Sequence, residues 1–235
     1  GSNATNTAGS IQSTVRANAS YGQSIVSYTG NGASSGTVGH GLSSAPEMVF
    51  IKGRSAASGW RVDHTSLSAG KVLYLNLTNA ETTEDSFGTH SSSTIALGSN
   101  GSVIDNNVTF IAYCFHSVTG YSKFGSYTGG GGTQVTTTTG FAPAFVMVKN
   151  TNTATNWEMF DNVRNPTAPQ NLKLGANLSV AENGSDLGNL TQNNLEFLSN
   201  GFKTTGNYTD TNESGSTFIY MAFADKREYA YWLDQ

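Results

Sequence analysis

The stretch APEMVFIK (Ala45–Lys52) returns 97 positions later as APAFVMVK (Ala142–Lys149) in this chain of 235 residues. In both stretches a proline precedes a run of consecutive apolar residues. This pattern is typical of a central β-strand that is covered on both faces and is entered where a backbone N–H is dispensable. Two such strands at a long offset predict that the chain repeats a β-sheet unit.

Further segments recur in the same order. The pairs are SYTG at 27–30 and 126–129, SNG at 99–101 and 199–201, and the aromatic runs FIAYCF at 110–115 and FIYMAF at 218–223. A tryptophan follows each proline by 14 positions, at Trp60 and Trp157. A constant order at a nearly constant offset indicates a tandem duplication of about 100 residues.

The composition also favours β-structure. Gly, Ser, Thr and Asn supply 107 of the 235 residues, whereas charged residues are only 12%. These four residue types are poor in helix interiors and are good in strands, turns or loops. Twelve Phe, ten Tyr and three Trp, at a net charge of −4, argue against disorder. We therefore expect an all-β protein.

The expected architecture is two tandem antiparallel β-sandwich repeats, at residues 24–120 and 121–225. The alternative is one larger jelly-roll-like sandwich with an internal pseudo-two-fold axis. Residues 1–23 are expected to form a linker with one first strand near Ile11–Arg16. Residues 226–235 are expected to begin a following segment.

Charge argues against two classes of partner. The 12 Lys and Arg are dispersed and the pI is about 5.5, so no basic stripe is present to bind nucleic acid or anionic lipid. No apolar run approaches the roughly 18 residues of a membrane span. The single cysteine, Cys114, lies in an apolar run, which predicts a buried structural thiol.

No pattern indicates catalysis. The acidic group Glu81, Glu84 and Asp85 is typical of an exposed loop, and it lacks the spacing of a glycosidase pair. The four histidines stand 24, 26 and 26 positions apart, without the spacing of metal ligands. We expect a protein that is not an enzyme and needs no cofactor or metal. The weak candidates for calcium ligands are Asp105, Asp210 and Glu213, for which simple turns are the favoured interpretation.

The order SYTG, a proline-led apolar strand, Trp, SNGF and a closing YMAFA resembles a tandem-repeat β domain of marine bacteriophages. That domain recurs in tail-fibre and tail-associated proteins of the cyanophage and pelagiphage type. The closing strands are also similar in pattern to the carboxy-terminal sandwich domains of phage tail fibres and to H-type lectins. The first copy departs from the pattern, because Ser102-Val103 stands where the second copy has Phe202-Lys203.

The resemblance implies a structural and recognition module of the virion tail, and hence an extracellular location. The implied partners are a host cell-surface polysaccharide or other receptor and other tail proteins, with no nucleic acid and no membrane insertion. A carbohydrate-binding module or adhesin repeat of a marine bacterium is the alternative. A polysaccharide hydrolase is a distant third.

Each copy offers an aromatic platform with polar neighbours, which is what a sugar site needs. The candidate ligand-binding residues are Trp60, Arg61, Asp63 and His64 in the first copy, and Trp157, Glu158 and Asp161 in the second. The competing interpretation is that each tryptophan belongs to the core.

Fibres of this kind suggest a homotrimer in the full-length protein, and a monomer is the alternative for the isolated chain. Aromatic residues near the copy boundaries are candidates for a subunit interface, because amphipathic aromatics are enriched there. These residues are Tyr28, Tyr121, Tyr127, Tyr229, Tyr231 and Trp232.

Overall fold

The computed structural model describes residues 2–170, 172–182 and 195–225. Their regular structure is almost entirely β-strand, arranged in antiparallel sheets, so the all-β prediction is confirmed. The chain divides into two compact units. The first comprises Gly1–Leu75 and Glu81–Ser117, and the second comprises Asn76–Ala80 and Val118–Gln235.

The first unit contains ten strands among the described residues. They are β1 (Ala4–Asn6), β2 (Ser13–Asn18), β3 (Gln23–Thr29), β4 (Gly36–Gly39), β5 (Met48–Gly53), β6 (Arg61–His64), β7 (Lys71–Tyr74), β8 (Thr82–Thr83), β9 (Thr94–Leu97) and β10 (Thr109–Phe115). A 3₁₀ turn at Ala19–Tyr21 joins β2 to β3, and one helical turn, α1 (Gly101–Ile104), precedes β10.

The described part of the second unit contains eight strands. They are β11 (Ser122–Thr128), β12 (Val135–Thr138), β13 (Pro143–Asn150), β14 (Glu158–Asp161), β15 (Leu174–Gly175), β16 (Leu195–Leu198), β17 (Gly201–Thr204) and β18 (Thr217–Ala224).

The first unit has two layers. Its large sheet runs in the order β1-β2-β3-β10-β5-β6-β7-β8, and its small sheet pairs β4 with β9. One cluster of buried apolar side chains draws on both sheets: Val26 and Ala112 come from the large sheet, Val38 and Ile95 from the small one. Ile104 of α1 completes the same cluster. Two sheets that share one apolar core form a β-sandwich.

The second unit is built in the same way. Its large sheet runs β11-β18-β13-β14-β15 and its small sheet runs β12-β17-β16. Val146 and Tyr220 of the large sheet and Leu195 and Phe202 of the small sheet belong to one buried cluster. The order β3-β10-β5-β6-β7 in the first unit therefore has a counterpart, strand for strand, in the second. That this order arose by duplication stays a prediction.

The copies differ where their sequences differ, after SNG. In the second unit SNGF leads into β17, which lies between β12 and β16, and Phe202 fills the core. In the first unit the Asn100 side chain accepts a hydrogen bond from the Ser102 backbone N at 2.8 Å and begins α1. Val103 then enters the core from a helical turn. Strand β4 consequently pairs directly with β9.

The first strand that was expected near Ile11–Arg16 is present as β2, but the linker expected for the rest of residues 1–23 is wrong. Strand β2 pairs along β3, and β1 pairs along β2, so both continue the large sheet. The physical reason is the alternation of STVRAN, which buries Ser13 and Val15 and exposes Thr14 and Arg16. Ile11 also joins the core, at 6% exposure.

The tyrosine of the first SYTG lies in the core. The Tyr28 ring stacks on Phe110 with 5.2 Å between ring centroids, and its hydroxyl donates a hydrogen bond to the Val103 carbonyl at 2.7 Å. Burial, followed by the charge of Cys114, raises the pKa of Tyr28 well above its ordinary value. The hydroxyl therefore acts as a neutral donor inside the sandwich.

The second SYTG repeats this arrangement. The Tyr127 ring stacks on Phe218 at 5.0 Å, and its hydroxyl donates to the Thr211 carbonyl at 2.6 Å. Because Tyr28 and Tyr127 are 4% and 8% exposed, the prediction that they lie at a subunit interface is wrong. Both are core residues whose polar tip is satisfied internally.

The remaining interface candidates have different outcomes. Tyr121 is half-buried and meets Phe223 edge to face at 5.9 Å. Tyr229, Tyr231 and Trp232 lie outside the described residues, so a role in assembly stays a prediction for them.

The glycine of SYTG allows a close approach of two backbone segments. A Cβ atom on Gly30 would lie 2.2 Å from the Asp105 carbonyl oxygen, and one on Gly129 would lie 2.0 Å from that of Glu213. Neither distance is possible for a side chain, so only glycine fits. The turn before each closing strand, β10 or β18, is thereby held against the end of the SYTG strand.

The lysine that ends each proline-led strand binds carbonyl oxygens. Lys149 is fully buried, and its Nζ donates to the Asn150 carbonyl at 2.7 Å and to the Thr78 carbonyl and Thr155 hydroxyl at 3.3 Å. Its partners are neutral, so burial lowers the pKa of Lys149 to about 7. In the first unit the half-buried Lys52 donates to the Ser58 carbonyl.

We expect Tyr28→Phe and Tyr127→Phe each to lower the free energy of unfolding by about 1–3 kcal/mol. Each change keeps the aromatic stack but leaves a buried carbonyl without its donor. Urea unfolding followed by fluorescence measures the loss. Tyr113→Phe is the matched control, because this tyrosine is half-buried, and it should change stability by less than about 0.5 kcal/mol. Equal losses of stability at all three positions would contradict the structural role assigned to the two buried hydroxyl groups.

We also expect the wild type to gain stability relative to Lys149→Met as pH rises from about 7 towards 10. The folded pKa of about 7 lies below the ordinary value of 10.5, so between them the unfolded chain binds more protons. Stability from this group is therefore present at high pH and is lost as pH falls through 7. Urea unfolding at several pH values gives the slope, with Lys52→Met as control. A stability difference between wild type and Lys149→Met that does not change with pH would refute the lowered pKa of Lys149.

Candidate functional site

The first unit contains a solvent-open cavity of about 360 Å³. Asp63 and His64, two of the predicted ligand-binding residues, line it. The loops around residues 65–71 and 87–90 form the rest, together with Pro46 from the start of the proline-led segment. The cavity thus gathers segments that are distant in sequence.

The register of β6 explains why polar groups face this space. Asp63 lies opposite Val49, and Arg61 lies opposite Ile51, on the face of the sheet that carries the core. Directly opposed residues of antiparallel strands share one face. The core-bearing face of the large sheet, called the inner face below, therefore carries apolar side chains on β5 and charged side chains on β6.

Asp63 lies beside His90. The Nδ1 of His90 accepts a hydrogen bond from the Ala96 backbone N at 3.1 Å, which places the proton of a neutral imidazole on Nε2. That Nε2 lies 3.0 Å from Oδ2 of Asp63, and the His90 ring also meets Phe87 edge to face at 6.0 Å. The Asp63 side chain remains 21% exposed. A partly exposed carboxylate that lines a cavity is suited to accept hydrogen bonds from a ligand.

His64 stabilises the turn after β6. It is 2% exposed, and its Nδ1 accepts a hydrogen bond from the Ser66 backbone N at 3.0 Å. We assign it to the wall of the cavity rather than to direct recognition of a ligand.

Arg61 belongs to a structural network. Its Nε donates to Glu84 at 2.6 Å, and its guanidinium lies 4.7 Å from the centre of the Tyr74 ring. Burial alone would raise the pKa of Glu84, but hydrogen bonds from Arg61, Ser86 and Tyr74 outweigh it and hold that pKa below its ordinary value. The expectation that Glu84 is simply loop surface is therefore wrong, and Arg61 is committed to this partner.

The two tryptophans have different environments. Trp60 is half-buried, with 6.1 Å between its ring and that of Tyr113. Trp157 is 1% exposed. A ring without an accessible face cannot support a sugar, so the prediction of a ligand platform at Trp157 is wrong and the core interpretation holds there.

The other predicted residues of the second copy are also unavailable. Glu158 is fully buried. Asp161 accepts hydrogen bonds from the backbone N of Val163 and Arg164 and from the Arg164 Nε, so it closes a turn. The second unit therefore does not repeat the predicted site.

The weak calcium candidates are occupied by protein groups. The Asp105 carboxylate accepts from the next backbone N, and Asp210 pairs with Lys173 at 2.6 Å. Glu213 accepts from the side chains of Asn150, Thr153 and Ser216. Within 2–170, 172–182 and 195–225 no three His, Cys, Asp or Glu side chains are grouped so that they could hold a metal ion.

Sequence reasoning missed His90 and Phe87. They lie on a loop more than 20 positions after Asp63, and no motif links the two segments. A bridge between Phe87 and Leu97 and the hydrogen bond from the Ala96 backbone N to His90 hold that loop against β9. Cys114, by contrast, is buried as expected, and burial raises the pKa of its thiol to about 12.

A scan against protein-family models matches residues 1–227 to a domain of unknown function, DUF7483. The chain belongs to the DUF7483 family. The match spans both compact units, so the family is defined by the pair rather than by one sandwich. Searches of curated proteins and of solved structures gave no match. No described helix of this family member is long and apolar enough to cross a membrane.

We expect Trp157→Ala to lower the free energy of unfolding by about 3–5 kcal/mol, because it leaves a large cavity in a closed site. Trp60→Ala should lower the free energy of unfolding by clearly less than Trp157→Ala, because the half-buried Trp60 ring is already in contact with solvent. Chemical denaturation of both variants measures the difference. Similar costs at the two positions would show that the tryptophans have the same structural role.

Proposed function

We propose that the chain is a non-enzymatic recognition module of a phage tail fibre or tail-associated protein, and that the Asp63 cavity binds a glycan of the host surface. The observation that carries this proposal is the Asp63 carboxylate, which lines the cavity, lies 3.0 Å from the His90 Nε2 and remains 21% exposed.

The chemistry of the cavity suits a sugar. Its volume of about 360 Å³ falls in the range of small-ligand sites, which is about 300–1,000 Å³. Pro46 and Phe87 supply apolar surface for a ring face, and Thr89 supplies a hydroxyl group to the same cavity. A carboxylate can accept hydrogen bonds from two adjacent sugar hydroxyls, one at each oxygen.

The lining favours binding over hydrolysis. Asp63 is the one carboxylate among the described residues that line the cavity. Most glycosidases need a second carboxyl group across the scissile bond. This supports a lectin-like role, in keeping with the resemblance to phage tail proteins, with a host polysaccharide as ligand and other tail proteins as neighbours in an extracellular virion.

The test is a glycan array that includes capsular polysaccharides and lipopolysaccharides of marine bacteria, followed by calorimetry on the best ligand. Asp63→Asn should weaken binding by about 10- to 100-fold, since a hydrogen bond to a charged group contributes about 1.5–3 kcal/mol. Asp105→Asn is the matched control, because this exposed carboxylate of the same unit does not line the cavity.

Binding by the wild type that Asp63→Asn leaves unchanged would place the site elsewhere. A wild type that binds no glycan would overturn recognition as the function of this cavity. Release of reducing sugar would replace the lectin-like role by that of a hydrolase.

A further inference from the structure

The second unit brings three charged side chains together, and one of them, Asp210, has a side chain that is 20% exposed. Lys173 is 1% exposed and Glu158 is fully buried. The Lys173 Nζ lies 2.6 Å from Oδ2 of Asp210 and 3.5 Å from Oε2 of Glu158. Within the described residues neither Glu158 oxygen has a hydrogen-bond partner of ordinary geometry.

The sheet places the lysine beside the glutamate. Glu158 opens β14 and lies directly opposite Gly175 of β15. Lys173 precedes Gly175 by two positions, so it projects from the same face as a diagonal neighbour of Glu158. This is the core-bearing face, since Glu158 also lies opposite Val148 of the buried cluster.

The turn that carries Asp210 is held on both sides. The Asn150 side chain donates to the Thr209 carbonyl at 2.7 Å, and the Tyr127 hydroxyl donates to the Thr211 carbonyl at 2.6 Å. The buried Asn212 side chain donates to three further carbonyls of neighbouring turns. The carboxylate is therefore presented to the lysine by a fixed backbone.

We propose that Lys173 and Asp210 join in an intramolecular isopeptide bond, with Glu158 as the group that transfers the protons. Nothing in this inference depends on the glycan site. The structure holds the two reactants in contact, keeps a third titratable group beside them, and buries the lysine and the glutamate.

The reaction balances without any co-reactant. Glu158 takes a proton from the Lys173 ammonium and delivers it to the Asp210 carboxylate, which leaves a neutral amine and a neutral acid. The Nζ lone pair then attacks the Asp210 Cγ, and the C–Oδ bond breaks as Glu158 moves the second proton from nitrogen to the departing oxygen. One water leaves, one amide forms, and Glu158 returns to its initial state.

Burial favours each step. Loss of solvent disfavours the separated charges of an ion pair relative to neutral amine and acid. Burial, opposed by the Lys173 charge and reinforced by the Asp210 charge, raises the pKa of Glu158 to about 8, so this carboxyl can hold and release a proton near neutral pH. Fixed contact between reactants replaces a bimolecular encounter and can be equivalent to about 10⁵ M or more of reactant.

The decisive experiment is intact-mass spectrometry of the denatured wild-type chain. The mass should be lower than the mass calculated from the sequence by one water. Trypsin should then release a branched peptide in which residues 165–203, uncut at Lys173, are joined to residues 204–226. A mass equal to the calculated one, with the two peptides separate, would overturn the proposal without the need for any variant.

Variants test the assigned roles. Lys173→Arg keeps the charge but should restore the full mass. Glu158→Gln should slow formation by about a hundredfold or more, the contribution of a positioned acid–base group. Lys203→Arg is the matched control, because Lys203 pairs with Glu196 at 2.8 Å on a half-exposed surface, and it should retain the loss of water.

Circular dichroism establishes that each variant is folded. Should Glu158→Gln form the bond at the wild-type rate, the proton-transfer role would be refuted while the bond itself stands. Should Lys173→Arg still lose water, the dehydration would belong to another pair of groups, and the assignment of the bond to Lys173 would fail.

Discussion

A hydrogen bond from a buried tyrosine hydroxyl to a backbone carbonyl organises each of the two sandwiches. In the first unit the bond joins Tyr28 to Val103, and in the second it joins Tyr127 to Thr211. The same tyrosine stacks on the first phenylalanine of the closing strand, and the glycine two positions later admits the backbone of the preceding turn. One short segment therefore positions the closing strand, β10 or β18.

The closing strand affects the whole large sheet of each unit because it has a neighbouring strand on both sides. Strand β10 pairs with β3 on one side and β5 on the other, and β18 pairs with β11 and β13 in the same way. An error in its register would turn every alternate side chain to the wrong face. The hydroxyl contact ties the turn before the closing strand to the tyrosine strand, and because the donor is neutral it brings no charge into the core.

The sequence predicted the strands better than it predicted the surroundings of charged residues. The proline-led runs and the closing runs were recognisable because consecutive apolar residues mark covered strands. Arg61 and Asp63, which alternate with Val62, were expected to face a ligand. Their register against Ile51 and Val49 turns both to the inner face, where Arg61 pairs with Glu84, while Asp63 lies beside His90 and lines the cavity. Register depends on pairing between distant segments, so local patterns could not reveal it.

The two tryptophans show the same limit. Their equal spacing from proline predicts equal positions, and it does not report how far neighbouring loops cover each ring. Trp157 is enclosed and Trp60 is half-buried. The two units thus differ in their polar groups: Asp63 lines an open cavity in the first unit, and a buried Lys173 lies between the buried Glu158 and the partly exposed Asp210 in the second.

The segment between SNG and the closing strand has a further consequence for how this family can vary. Phe110 follows Gly101 by 9 positions and Phe218 follows Gly201 by 17, yet the order of the large-sheet strands that the units share is unchanged. Doubling the length of a loop adds only about 0.6 kcal/mol of closure entropy. In both units one carbonyl of this stretch still accepts the tyrosine hydrogen bond, so the stretch can change length and secondary structure around that contact, which makes it a natural position for diversification between relatives and for grafting a peptide by design.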